Sequence, residues 1–530
     1  MASSPVAYAQ PSPGLGPKVT LVNAFAEPYN NAMATARTCY AARVITPQDV
    51  RKDARAEALR DRIAQSTYEA GHHTTLQHAT FQFVLEDVSR QCLWSFLHAH
   101  PHYNSEQVSQ RYVAVKADRA YVPALPEASQ AIYADTLQAQ MDAYKELVEV
   151  LTAPAAEAYF KIFRARGKDP AAWAKTIRKK AQEVARYVLP VATYAYLYHT
   201  VSGLTLHRYH RLSTMFDVPH ETRQVIGGMV AAVNAHDPLF FGRIEDALPL
   251  EATPEYQALA QANRLTVSHD ARATLDAFDQ ALDGRMAKLV DYSAQGEATL
   301  AMAVRLVLGL GPDALSDDDA IALVLDPARN STLGGALNLN SLSKLGRTLV
   351  HPHYTFIKKL SHAADSQDQR HRSAPGSRPI LHSHYVPGHP DVITPGLIGH
   401  SAQAQEIYER IMAHTWAQID RLLNAGVPAE QALYLLPNAF AIRFVSSGDL
   451  MGLHHKWVSR LCYNAQEEIW AASLDEVRAV AAVHPRIGRY MMPPCGVRHA
   501  AKMRPICPEG DRFCGVPVWR LDKEQYQRVL

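Results

Sequence analysis

The densest chemistry in the sequence lies in Gln369–Pro379, QRHRSAPGSRP, where Arg370, His371 and Arg372 stand side by side. Fixed positive charge at that density repels itself unless an anion or carboxylates offset it. The stretch is therefore either a place for a phosphate or diphosphate, or a solvated basic turn. A second candidate is His100–Val113, HPHYNSEQVSQRYV. Ser109 and Arg111 are two residues apart, so an extended segment would aim a hydroxyl and a guanidinium the same way. That pair suits a phosphate; an ion pair of the Arg with Glu106 is the alternative. A third candidate is Gly71–His78, GHHTTLQH, a flexible backbone with imidazoles and hydroxyls. It can hold a planar or phosphorylated ligand, or satisfy its own backbone. Arg186 and Arg460 lie on apolar-rich, helical stretches. A buried guanidinium needs a partner: a carboxylate, a substrate phosphate or a developing oxyanion. Finally Cys495, His499, Cys507 and Cys514 cluster near the end of the chain. Three thiolates and an imidazole match a tentative structural zinc site in type and number, without the usual paired-cysteine spacing. Reduced cysteines packed in a capping tail are the alternative.

The elements that must position these residues occur twice. Lys18–Asn23 and Lys288–Tyr292 each precede an alanine-rich helical stretch. His78 is followed by Phe81 and Phe83, and His351 by Tyr354 and Phe356; aromatics two apart predict a strand with one buried face. Tyr121-Val122-Pro123 and Tyr385-Val386-Pro387 follow, each ahead of an amphipathic helix. Its apolar face is Ile132, Met141, Tyr144, Val148 and Leu151 in one copy and Ile407, Ile411, Ile419, Leu422 and Leu423 in the other. Leu189-Pro190 and Leu436-Pro437 come next, and Leu206-His207 and Leu453-His454 after them. The order predicts two homologous α+β repeats, 18–245 and 285–490. A disordered lead-in over 1–17, a helical joint over 246–284 and a Cys-rich tail over 491–530 complete the expected organisation.

Composition narrows the class. Lys+Arg 54 against Asp+Glu 52 in 530 residues gives no basic excess for duplex binding, so no nucleic-acid partner is expected. No apolar run approaches the ~20 residues that span a bilayer, so no membrane partner is expected either. Six cysteines do not make a disulfide scaffold, and the first residues read as no signal peptide; a cytoplasmic protein is expected.

These residues together resemble a tandem, diverged flavin-dependent thymidylate synthase. Gly71-His72-His73-Thr74 is similar to that family's flavin loop. Its signature, Arg-His-Arg then Ser-x-Arg-Tyr, is divided: the first repeat keeps Ser109-Gln110-Arg111-Tyr112 but reads Leu97-His98-Ala99 before it, whereas the second keeps Arg370-His371-Arg372. Val184-Ala185-Arg186 matches the nucleotide-binding segment before Leu-Pro, and Arg460 matches the catalytic Arg. The family's flavin-binding Asn and Arg fall at Ser202 and Leu204, and at Asp449 and Met451. The resemblance implies two mixed α/β units paired into a homodimer of tandem chains. It implies FAD reduced by NADPH, methylenetetrahydrofolate as carbon donor, and dUMP or a related pyrimidine nucleotide methylated at C5 to dTMP. A site shared by the two units would take Arg460 as catalytic group. Ser109, Arg111, Tyr112 and Arg186 would bind substrate, and His72, Thr74, His78, Arg370, His371 and Arg372 the cofactor. Another pyrimidine modification, or a non-catalytic nucleotide- or flavin-binding scaffold, are the alternatives.

Overall fold

The computed structural model describes residues 16–98, 102–111, 113, 115, 119–214, 217–242, 245–268 and 270–528. In chain order the elements that matter are β1 (Lys18–Ala24), β2 (Thr80–Ser89), α1 (Arg90–His98), β3 (Asn104–Gln107), α2 (Glu127–Ile162), α3 (Pro170–Ala185), β4 (Tyr194–Ser202), α4 (Gly203–Arg211) and α5 (Pro219–His236). The series then recurs as β5 (Ala287–Tyr292), β6 (His353–Ser361), α6 (His362–Asp368), β7 (Gly376–Ser377), α7 (Ala402–Asn424), β8 (Ala441–Asp449), α8 (Leu450–Arg460) and α9 (Glu467–Val483). The fold is α+β. Each repeat forms a four-stranded antiparallel sheet, in the orders β1-β2-β4-β3 and β5-β6-β8-β7. The period-two aromatics do what their spacing predicts: Phe81, Phe83, Tyr354 and Phe356 are wholly buried on one face of β2 and β6. On α2 the helical stripe buries Met141, Tyr144, Val148 and Leu151, with Ile132 half-buried.

The chain packs as two compact units that exchange segments. The first comprises residues through Ala139, then Pro190–Val267 and Ala417–Leu436. The second comprises Gln140–Leu189, Ser268–Trp416 and Pro437–Leu530. The chain passes from one to the other at Leu189-Pro190 and at Leu436-Pro437. Proline cannot extend the preceding helical turn and holds the residue before it extended; Leu189 has ψ 140° and Leu436 ψ 133°. Freed there, the backbone finds partners in the other repeat's segment. In the first unit Val191 N–H donates to Leu436 O at 2.8 Å and Ala192 N–H to Tyr434 O at 2.9 Å. In the second, Asn438 N–H donates to Leu189 O at 2.8 Å and Ala439 N–H to Tyr187 O at 2.9 Å.

A buried carboxylate fastens each exchange. In the first unit Glu221 accepts from Ser89 N–H (2.7 Å), Ser89 Oγ (2.6 Å) and Tyr434 Oη (2.6 Å). In the second, Glu468 accepts from Ser361 N–H (2.7 Å), Ser361 Oγ (2.6 Å) and the Tyr187 hydroxyl. Burial raises both carboxyl pKa values, and these hydrogen bonds pull them back. Removing either Glu strands several buried donors at once. Glu468→Ala is therefore expected to cost on the order of 3 kcal/mol or more and Tyr434→Phe about 1 kcal/mol, measured by urea denaturation. A Glu468→Ala protein as stable as the parent would show that the cluster does not hold the fold.

Candidate functional site

The second unit carries most of the predicted chemistry. Helix α8 starts at Asp449, whose side chain accepts from Gly452 N–H at 2.8 Å, and ends at Arg460. Helix α6 starts at Ser361, and its chain runs on from Asp368 into Arg370, His371 and Arg372. Gly452 lets α8 lie against the next residue of that run: a Cβ there would stand 2.7 Å from Ser373 Oγ. The two helix ends so delivered meet. Arg460 donates Nε–H to His371 Nε2 at 2.7 Å and an Nη2 proton to Gln367 O at 3.2 Å. A guanidinium has no acceptor, so His371 must be neutral with its lone pair on Nε2. Burial first, then the charges of Arg460 and Lys456, push its pKa well below the ordinary imidazole value, against the pull of Asp368. Neutral His371 between two arginines also relieves the crowding of charge that the sequence raised.

The structure adds a residue the sequence reading missed. Gln367 sits one turn before His371, and its side-chain Nε2 is buried with no hydrogen-bond partner. Its backbone carbonyl takes the Arg460 Nη2 proton, so this residue helps hold the guanidinium, while its buried amide is a donor left without an acceptor. The signal was a lone glutamine in a polar run, which carries no pattern.

Arg186 lies at the C-cap of α3 and is buried. Its Nε–H donates to Glu183 O at 3.1 Å, and its carbonyl accepts from Asn438 Nδ2 at 3.0 Å. It thus belongs to the same unit as Arg460, although it comes from the first repeat. Arg370 is exposed, and Arg372 is half-buried.

In the first unit the loop expected to take a cofactor is a single 3-10 stretch, His73–His78. Gly71 turns into it at φ 76°. His72, Thr74 and His78 are exposed, whereas the His73 ring is tied to Tyr68 O at 2.9 Å. A groove of about 580 Å³ runs beside His78, lined also by Asn31, Thr35 and Gln77. Of the three exposed residues His78 lines it, and an exposed imidazole among polar side chains fits a planar, polar group such as a flavin. Ser109 and Arg111 are not on an extended segment. β3 ends at Gln107, and in the turn that follows Ser109 Oγ accepts from Arg111 N–H at 3.3 Å. The reason is local: a serine hydroxyl two residues before a free N–H closes a turn as readily as it serves a ligand. Tyr112 lies outside the described residues.

Three further expectations change. β2 carries a bulge between Leu85 and Val88, with Asp87 at φ 55°, whereas β6 pairs with β8 without a shift. Counting from the matched Ser89 and Ser361, the first repeat's counterpart of 370–372 is 98–100 and not 97–99. Residues 99 and 100 lie outside the described set. Ser202 and Asp449, where the resemblance expects a cofactor-binding Asn, are N-caps of α4 and α8. The tentative zinc set is not assembled. His499 is exposed, and among the described residues no group of three or more His, Cys, Asp or Glu is placed to hold a metal ion. The neighbour that Cys495 and Cys514 do gain is Cys462, two residues after Arg460. Burial, and then the other thiols, push the Cys495 pKa up, and burial, then Glu509 and the other thiols, that of Cys462.

The sequence of the family described as thymidylate synthase complementing protein matches twice, over residues 20–239 and 288–486. The chain belongs to that family, as a tandem duplication of an enzyme. Among its relatives, the flavin-dependent thymidylate synthase of Geobacter sulfurreducens is 30% identical over 246 residues, 44% of this chain and 97% of the relative. That of Sulfurisphaera tokodaii is 31% identical over 221 residues, 39% of this chain and 78% of the relative. That of Saccharolobus solfataricus is 30% identical over 212 residues, 39% and 77% respectively. No helix among the described residues is long and apolar enough to cross a membrane.

The neutral state of His371 is directly measurable. A depressed imidazole pKa contributes stability above the unfolded value near 6.5, and that contribution is lost as pH falls. Carbon-13 NMR of labelled histidine is expected to show the His371 ring unprotonated from pH 8 down to 6. A midpoint near 6.5 would contradict the Arg460–His371 geometry.

Proposed function

We propose that the chain methylates dUMP at C5 to give dTMP, using a bound flavin, NADPH as reductant and methylenetetrahydrofolate as carbon donor, in a homodimer of tandem chains. The observation that carries this reading is Arg460, held on a neutral His371 and on the Gln367 carbonyl. A guanidinium keeps its proton at any working pH, so Arg460 can offset negative charge that develops on a uracil ring. Fixed in place before the reaction, it spends nothing on reorientation. His371 and the Gln367 carbonyl fix the orientation of the guanidinium. Arg186, in the same unit, is the cation for the nucleotide's phosphate, with Arg370 and Arg372 for a cofactor phosphate. In the first unit His72, Thr74 and His78 are the groups for the flavin ring, and Ser109 and Arg111 supply a hydroxyl and a cation. When bound, the flavin supplies hydride-transfer chemistry that no side chain provides.

Ser202 and Asp449 as helix caps favour a second reading, a scaffold that binds nucleotide or flavin without turnover. The two separate cleanly. With FAD, dUMP and methylenetetrahydrofolate added, the first expects dTMP formation and NADPH oxidation that depends on dUMP. A protein with no flavin absorbance after FAD is added, and no dTMP, would overturn it. Arg460→Ala is expected to lower kcat roughly a hundredfold with an unchanged melting temperature; unchanged turnover would remove Arg460 from the reaction.

A further inference from the structure

Behind Arg460 and His371 lies a set of charges that no functional reading above uses. Lys358 on β6, Asp368 at the end of α6, Lys456 on α8 and Glu476 on α9 are none of them more than 3% exposed. Lys358 Nζ donates to Asp368 at 2.8 Å and lies 3.0 Å from Glu476. Lys456 Nζ donates to Glu476 at 3.0 Å and stands 3.2 Å from Asp368. Trp457 Nε1–H closes the ring on Glu476 at 2.7 Å. Arg378 joins Asp365 at 2.7 Å and reaches Asp368 at 3.4 Å. Cations and carboxylates balance, and burial leaves them only one another.

The first repeat is an internal control. Seven residues after Ser89 stands Phe96, where Asp368 stands seven after Ser361. Two residues after His207 stands Tyr209, where Lys456 stands two after His454. Phe96 and Tyr209 pack with ring centroids 4.6 Å apart. Leu85 and Met229, both buried, take the places of Lys358 and Glu476. The same helix junction is therefore closed by an aromatic pair in one repeat and by an ion pair in the other. The ion pair occurs in the repeat that keeps Arg370, His371, Arg372 and Arg460; the aromatic pair occurs where Ser213 replaces the last of these.

We propose that Lys456 and Asp368 are positioning residues: their ion pair ties the end of α8 to the end of α6 and so sets Arg460 against His371. Lys456 is one helical turn before Arg460, and Asp368 offers its carbonyl to His371 N–H at 3.0 Å. Each partner thus stands directly behind one of the two working groups. An aromatic pair closes the junction equally well, but its contact tolerates sliding. A buried ion pair does not, because Lys456 and Asp368 are each also hydrogen-bonded to a charge on another element, Glu476 and Lys358, and sliding the helix ends pulls opposite charges apart in a dry interior. The thymidylate-synthesis reading enters only in what Arg460 acts upon.

The first repeat supplies the test. The double variant Asp368→Phe, Lys456→Tyr installs its solution while leaving Lys358 paired with Glu476 and Arg378 with Asp365. It is expected to fold with a melting temperature at or above the parent's, yet to lose at least tenfold in kcat with KM for dUMP within twofold. Independently of turnover, the Arg460 Nε–H resonance in nitrogen-15 arginine spectra, slow to exchange in the parent, is expected to exchange at least tenfold faster. Asp368→Asn, which keeps shape and removes charge, is expected to show the same two changes and stands in if the double variant does not fold. A folded variant with parental kcat and parental Nε–H exchange overturns the proposal. A parent that makes no dTMP, whose Nε–H still loses protection in the variants, overturns the functional reading and leaves the positioning role standing.

Discussion

Two buried glutamates hold the rest in place. Glu221 and Glu468 each gather a serine from a strand end and a tyrosine from the other repeat. A buried carboxylate is costly unless its lone pairs are met, and Glu221 is met by three donors and Glu468 by four, Gln466 Nε2 being the fourth. The donors fix three things at once: where β2 or β6 ends, where α1 or α6 begins, and which way the chain leaves the Leu-Pro turn. Because the tyrosine comes from the other repeat, neither repeat supplies all the residues of either compact unit. Duplication in one chain makes that exchange intramolecular, so its partners are always at hand.

The same exchange explains how chemistry divided between repeats can still work. Segment 140–189 of the first repeat is part of the second unit, and it carries Arg186 with it. Tyr187 on Glu468 fixes the segment there, whereas the matching place in the second repeat, Leu433, is buried in the first unit, so the unit that holds Arg460 keeps the arginine and the other has lost it. The arginine is lost from the unit that has Ser213 and kept in the unit that has Arg460.

Much of this was legible in the sequence, for identifiable reasons. Phe81, Phe83, Tyr354 and Phe356 announced buried strand faces because side-chain alternation has no other simple source. The Leu-Pro pairs were legible only as landmarks of the repeat, and the passage between units at each of them shows in the fold alone. Arg460, on an apolar-rich helical stretch, was legible as a guanidinium in need of partners, which are His371 and the Gln367 carbonyl. Other features were not. Ser109 and Arg111 look extended by spacing alone, and only the end of β3 at Gln107 reveals the turn. The extra residue beside Asp87 shifts one repeat by one position without leaving a mark, because a bulge is a backbone event. The ion cluster was hidden more deeply. Lys358 next to Lys359 reads as a solvated pair, and its partners Asp368, Lys456 and Glu476 come from separate elements that only the tertiary fold unites.

That cluster also bears on why the repeats diverged as they did. Replacing a buried ion pair by well-packed apolar groups is often neutral or stabilising, and the first repeat has Phe96 and Tyr209 in that very place. Stability alone therefore gives no reason for the second repeat to keep two lysines and two carboxylates out of water. Geometry does. An aromatic contact is satisfied over a range of offsets, whereas a hydrogen-bonded charge in a dry interior has one good position. Where the helix ends carry no working arginine, the looser contact suffices. Where they must hold Arg460 on the Nε2 of His371, the charges give the junction the single arrangement that the chemistry requires.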